Sequence, residues 1–253
     1  DVLAIQETWA DAKDILDGRR HLATHGLRSY WSAPGPARGH GSGTLVAALR
    51  PVVSKEFFTA GFDSEMDHLW ASTRAAGAWV ETNQVDNGFA VLSFYGIAGA
   101  NACNNKRLES DRMLMALLCH LGAYKHRPIF LCMDANLSFE KSDTMQALIK
   151  LGWTDLAAGL GGTFKVKPTD ANPCSRIDFV FANPAAAGLV MDVQLRWLPG
   201  FQHAAVDIDL HLGLDTGPIS RLRVPKRMPR VPALSQGDLE TYEEWANDTW
   251  QHS

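Results

Sequence analysis

Six consecutive residues, Ile129-Phe130-Leu131-Cys132-Met133-Asp134, constrain the fold more than any other stretch of the chain. A run this apolar and this short has the length of a strand, and a strand without polar alternation is one that is buried. Upstream, Leu108, Leu114, Leu117, Leu118 and Leu121 recur at helical spacing between Asn105 and Leu121, with charged residues between them. Such a helix covers a sheet, and Arg127-Pro128 stops it before the strand begins.

The same reading extends along the chain. Residues 2–6 are a short apolar run ending in Gln6-Glu7-Thr8, which suits a buried strand delivering polar side chains at its C-terminal end. A Gly/Pro-rich stretch at 33–43 separates it from a second strand in GTLVAALR. Ala78 to Glu81 and Gly88 to Tyr95 read as two strands joined by a turn around Asp86-Asn87-Gly88, the Asn-Gly step being a hairpin signal. A short helix is expected around Asp143 to Leu151, and strands over 176–183, 189–198 and 203–212, the last two alternating clearly. Many strands with helices between and outside them point to an α/β sandwich. Past Leu214 four prolines fall among five Arg and Lys residues within 218–232, so 1–214 is expected to form the domain and 215–253 a Pro/Arg-rich linker with a short helical tail.

With 46% hydrophobic and 21% charged residues, the 253-residue chain can bury a sizeable core. No stretch approaches the roughly 20 apolar residues of a membrane span, and DVLAIQETWA lacks the features of a signal peptide. Cys103, Cys119, Cys132 and Cys174 are scattered without a CxxC pair, which argues against a zinc site or a disulfide framework and for a reducing, intracellular compartment, with the nucleus as candidate. A formal charge of −4 gives no footprint for nonspecific nucleic-acid binding, which counts against a tight DNA binder but not against an enzyme that touches only a few phosphates near a metal. The first residues already resemble the middle of a sheet, so a preceding strand is expected to be absent from this fragment.

Polar residues stand where the strands end. Glu7 closes the first, Asp134 and Asn136 form a D-x-N step after IFLCMD, Asp178 opens a later strand and His203 opens the last. If the D-x-N segment is extended, its two polar residues face the same way. Hydrolysis of a phosphodiester needs a cation, a base for water and donors for phosphoryl oxygens, and hard cations take carboxylate oxygens. An Asp that accepts from a His fixes its tautomer and supports its cationic form. Singly, each feature is more often a turn, a cap or a solvated surface group; the force lies in their order.

In that order LAIQET, SFYGIAGAN, FLCMDAN, SRIDFVF and FQHAAVDI resemble the successive motifs of the endonuclease/exonuclease/phosphatase family, which includes DNase I, abasic-site endonucleases and the endonucleases of LINE-type retrotransposons. The resemblance runs over about residues 1 to 213. It implies a DNase I-like four-layered α/β sandwich, two packed mixed β-sheets flanked by helices, with Mg²⁺-dependent hydrolysis, Mn²⁺ being the substitute. Carried over by motif, Glu7 holds the metal, Tyr95 contacts the phosphate, Asp134 orients or deprotonates the water, Asn136 binds a phosphoryl oxygen, and Asp178 pairs with His203, which stabilises the transition state. Asn101 and Arg176 are further substrate-binding candidates.

Three departures matter. The family's strand before Glu7, ending in Asn, would precede residue 1. The family's Ser-Asp-His is here Phe201-Gln202-His203, so Gln202 stands where an acid near the metal is usual and cation binding should weaken. The Gly before the D-x-N step is Met133. The leading expectation is a monomeric endonuclease that nicks DNA and leaves a 3′-hydroxyl; the alternatives are a catalytically silent binding module and a phosphatase of inositol or other small phosphoesters.

Overall fold

The computed structural model describes residues 1–34, 43–49, 53–57, 69, 73–81 and 88–212. The chain divides into two units, Asp1–Thr216 and Gly217–Ser253, and every described residue lies in the first. The elements in chain order are β1 (Val2–Ile5), α1 (Ala12–Thr24), β2 (Leu27–Trp31), β3 (Leu45–Leu49), β4 (Val53–Glu56), β5 (Ala75–Glu81), β6 (Phe89–Tyr95), α2 (Asn104–Leu121), β7 (Ile129–Asp134), α3 (Asp143–Lys150), β8 (Thr154–Asp155), β9 (Asp178–Ala182), α4 (Pro184–Ala187), β10 (Val190–Trp197) and β11 (Ala204–Leu210).

The apolar run of β7 lies inside a six-stranded sheet of order β4-β5-β6-β7-β9-β8, parallel to β6 and antiparallel to β9. Its residues alternate between two cores. Leu131 and Met133 pack with Leu92, Phe94, Phe179 and Phe181 beneath α2 and α3, whereas Phe130 packs with Val91 and Ala182 on the opposite face. Both faces are apolar because both are covered, which is why polar alternation is missing from the sequence.

A three-stranded antiparallel sheet, β1-β3-β2, lies over that second face and brings Val46, Ala4 and Tyr30 into the shared core. The hairpin β10–β11 adds Val190 and Leu210. On the outside of the smaller sheet α1 closes a third core of Ile15, Trp31, Leu45 and Ala47. The result is a mixed α/β sandwich of four layers: α1, the β1-β3-β2 sheet, the six-stranded sheet, then α2 and α3. Each fully buried Leu or Phe in these cores stabilises by about 1.5–3 kcal/mol.

Differences from the sequence reading have local causes. Leu108, counted in the apolar stripe of α2, is 57% exposed; the buried face begins with Ser110 and Met113. The elements α1, β2, β4, β8 and α4 were not anticipated. Residues 176 and 177 lie outside β9, which starts at Asp178. The hairpin pairing of β5 with β6 is present, with Val80 opposite Phe89 and Gly88 at φ 68, where a Cβ would lie 2.0 Å from the Val80 carbonyl oxygen. Its tip at Asp86-Asn87, most of the Gly/Pro-rich stretch, the linker at 215–235 and the helix at 236–250 fall outside the described residues.

Candidate active site

Strand register builds the floor of the site. Tyr95 is opposite Asp134 in the β6–β7 pairing, and Asp134 is opposite Asp178 in the β7–β9 pairing. Three polar residues therefore form one row across three adjacent strands, on the face that meets the second sheet. Gly96 follows Tyr95 where the next backbone passes so close that a Cβ would lie 2.0 Å from the Ala135 carbonyl oxygen, and its N–H donates to the Asp134 carbonyl at 2.7 Å.

The opposite sheet supplies Glu7. Just before it, Gln6 donates to the Ser93 hydroxyl at 2.8 Å, and the Thr44 hydroxyl donates to the Ile5 carbonyl at 2.8 Å while also pairing with Ser93. Ser93 and Thr44 are fully buried, so these bonds satisfy groups that would otherwise be costly and fix the end of β1 against β6. The chain then turns through left-handed conformations at Glu7 (φ 60) and Trp9 (φ 51), and the Tyr95 hydroxyl donates to Glu7 Oε1 at 2.7 Å.

The D-x-N step is a turn rather than an extended pair. Asn136 has φ 51, and its backbone N–H donates to Asp134 Oδ1 at 3.0 Å, closing an Asx turn. Its side-chain amide donates to the Gly96 carbonyl at a long 3.4 Å. The two side chains are brought together by this turn, not by the two-residue period of a strand.

His203 Nδ1 lies 3.0 Å from both carboxylate oxygens of Asp178. Two residues that no sequence motif singles out hold this pair. The buried Thr163 hydroxyl accepts from the Ile177 and Asp178 N–H groups at 3.2 and 3.1 Å, and the Phe164 ring lies 5.0 Å from the His203 ring. Phe164 pairs with His203 through the backbone, flanked by Lys165 N–H to Gln202 O and Ala204 N–H to Thr163 O, both at 2.8 Å.

Glu7, Asp134 and His203, from three distant segments, each present a ligand atom within 4.8 Å of the others. Burial, then the Asp178 charge, push the Asp134 carboxyl up to about 7, against the smaller opposing effects of His203 and the Asn136 N–H. Burial alone would lower the His203 pKa, but the hydrogen bond to Asp178 and the charges of Asp178, Asp134 and Glu7 outweigh it and raise it to about 9. Burial and the hydrogen bond to Glu7 push the Tyr95 phenol above its ordinary value, so it is a neutral donor. The concentration of acids on a buried carboxylate fits a hard divalent cation, which Glu7 and Asp134 would hold through oxygen.

The other candidates have different surroundings. Asn101 is exposed, its N–H donating to the Asn136 carbonyl at 3.1 Å and its side chain accepting from Ser138 N–H at 3.4 Å, next to the Asx turn. Arg176 is turned to Asp155, with Nη2 2.5 Å from a carboxylate oxygen, and stacks over Phe179 at 4.6 Å. Gln202 is exposed, and its amide donates to the Val166 carbonyl on the facing segment.

A family model described as the endonuclease/exonuclease/phosphatase family matches residues 1–199. No curated protein matches by sequence. Among solved structures, the chain is similar to an AP endonuclease from Archaeoglobus fulgidus at 17% identity and TM-score 0.64, covering 83% of this chain and 88% of that one. It is also similar to a 3′ phosphatase from Neisseria bound to a product DNA hairpin, at 18% identity and TM-score 0.63, covering 83% and 89%. A mannosyl-6-phosphatase from Bacteroides thetaiotaomicron matches at 17% identity and TM-score 0.53, covering 83% and 85%.

Proposed function

The chain belongs to the endonuclease/exonuclease/phosphatase family, and from that premise we propose that it is a Mg²⁺-dependent endonuclease that hydrolyses one strand of DNA and leaves a 3′-hydroxyl. The observation that carries the reading is the meeting of Glu7, Asp134 and His203 within 4.8 Å, with Asp178 bonded to the far side of the imidazole. DNA as substrate is supported by the Neisseria 3′ phosphatase, whose structure holds a DNA hairpin.

Glu7 and Asp134 would hold a divalent cation, which would supply charge neutralisation for the phosphoryl oxygens. Asp134, whose carboxylate lies beside Glu7 and His203, is placed to orient the attacking water and take its proton. Asp178 holds the Nδ1 proton of His203 and sustains the imidazolium, which leaves Nε2–H to donate to a phosphoryl oxygen as negative charge grows there. The Asn136 amide, which faces the Gly96 carbonyl at 3.4 Å and the Tyr95 hydroxyl, is a second donor beside Asp134. Tyr95 keeps Glu7 in place through its 2.7 Å hydrogen bond.

The test is nicking of supercoiled plasmid in Mg²⁺. Wild type should relax the plasmid, and His203→Ala should lower the rate by about 10²-fold or more; equal rates would remove His203 from the chemistry. A second reading, a catalytically weakened module, is supported by the neutral Gln202 and its bond to Val166; absence of nicking alongside retained DNA binding would favour it. Release of phosphate from sugar or inositol phosphates, without plasmid nicking, would move the substrate to small phosphoesters. The Pro/Arg-rich stretch after the domain supports a place in a LINE-type polyprotein.

A further inference from the structure

Beside the candidate active site stands an apolar pair that none of the proposed chemistry uses. Phe164 is opposite His203 in an isolated bridge, and Lys165 N–H donates to the Gln202 carbonyl, so Val166 and Phe201 leave the bridge on the two facing segments, each two residues from the Phe164–His203 pair. Burial does not explain them: Phe201 is 61% exposed and Val166 59%.

The backbone holds Phe201 in place. Leu198-Pro199-Gly200-Phe201 is a tight turn, with Phe201 N–H donating to the Leu198 carbonyl at 3.2 Å and Gly200 at φ 84. Proline followed by a glycine of positive φ is the signature of a type II turn. The Gln202 side chain, bonded to the Val166 carbonyl, ties this turn to the facing strand. Lys165 lies 4.3 Å over the Trp197 ring, placing a cation beside the apolar pair. An exposed aromatic on a tight turn, two residues from His203 and with a cation on the facing segment, has the makings of a base-stacking platform.

We propose that Phe201 stacks on an unpaired nucleobase flanking the phosphate held at Glu7, Asp134 and His203, so that the protein prefers single-stranded or locally opened DNA to regular duplex. This rests on the nucleic-acid reading of the site. A base inside a duplex has both faces occupied by its neighbours, so only an unstacked base offers a face to the ring.

Binding is the test, because it does not require turnover. Fluorescence anisotropy of a labelled 15-nucleotide single strand and of its duplex, in Ca²⁺, is compared for the full chain and for Phe201→Ala and Phe201→Trp. The single strand should bind more tightly than the duplex, Phe201→Ala should lose about fivefold or more on the single strand, and Phe201→Trp should keep the affinity. Equal binding of both DNAs by wild type, or an unchanged single-strand affinity in Phe201→Ala, overturns the proposal. Binding that depends on Phe201 in a protein that cleaves no phosphodiester would overturn the hydrolase reading and leave the platform standing.

Discussion

Asp134 is the residue at which folding and chemistry oppose each other. Its carboxyl is pushed up to about 7 from an ordinary 3.8, so its native-state proton affinity favours folding below pH 3.8, and that contribution is lost as pH rises toward 7. His203, raised to about 9 from 6.5, behaves likewise: its contribution is complete below 6.5 and lost as pH rises through 9. Asp134→Asn removes the first of these without removing the acceptor for the Asn136 N–H. The metal-free variant should melt higher than wild type at pH 8, by about 2–4 °C for each kcal/mol relieved, while losing hydrolysis; a lower melting temperature at pH 8 would show that burial there is not a strain on the fold. Glu7, Asp134, Asp178 and His203 were legible because each ends or opens a strongly patterned strand. Their supports were not: nothing in a loop threonine announces that Thr163 binds two backbone N–H groups fifteen residues away, and the left-handed turn of Asn136 depends on tertiary contacts rather than on its neighbours in sequence.

Elements differ in how openly they declare themselves. β7 and α2 are plain because both bury broad apolar surfaces, whereas α1 buries only Ile15 and has Gly18 in its middle, a residue that weakens any helical reading by about 1 kcal/mol. The glycine is there for tertiary reasons, since a Cβ would come within 2.8 Å of the Trp31 ring. What secures α1 locally is its first turn: Asp11 accepts from Lys13 and Asp14 N–H, and Asp14 accepts in return from the Asp11 N–H, a capping box. Asp11→Ala should cost about 1 kcal/mol, read as a shift in urea midpoint without change in slope. No shift would mean that packing on Trp31 and Leu45 alone sustains the helix.

For the molecule as a whole, strand order matters more than strand identity. The sequence indicates most strands of the six-stranded sheet but not that β7 lies between β6 and β9, the arrangement that aligns Tyr95, Asp134 and Asp178. Pairing choices are set by distant surfaces, so they are invisible to local pattern. Among the described residues no helix is long and apolar enough to cross a membrane. Because two protons and a cation compete for one acidic cluster, Mg²⁺ should stabilise the chain more at pH 8.5 than at pH 5.5. At about a hundred times its dissociation constant the rise in melting temperature at the higher pH should be about 5–10 °C, measured by differential scanning fluorimetry; a pH-independent gain would place the ion elsewhere.

Asn136 occupies a backbone conformation that glycine adopts with less strain, while its side-chain amide faces the Gly96 carbonyl at a long 3.4 Å and the Tyr95 hydroxyl. Asn136→Gly should therefore melt no lower than wild type and yet cleave DNA more slowly, a pairing that thermal melts and plasmid nicking check together. Copies of such a domain released from selection for cleavage would have an easy mutational exit at this position, one that erases a phosphate donor while the protein goes on folding, so the state of residue 136 would serve as a molecular record of whether a lineage still cuts.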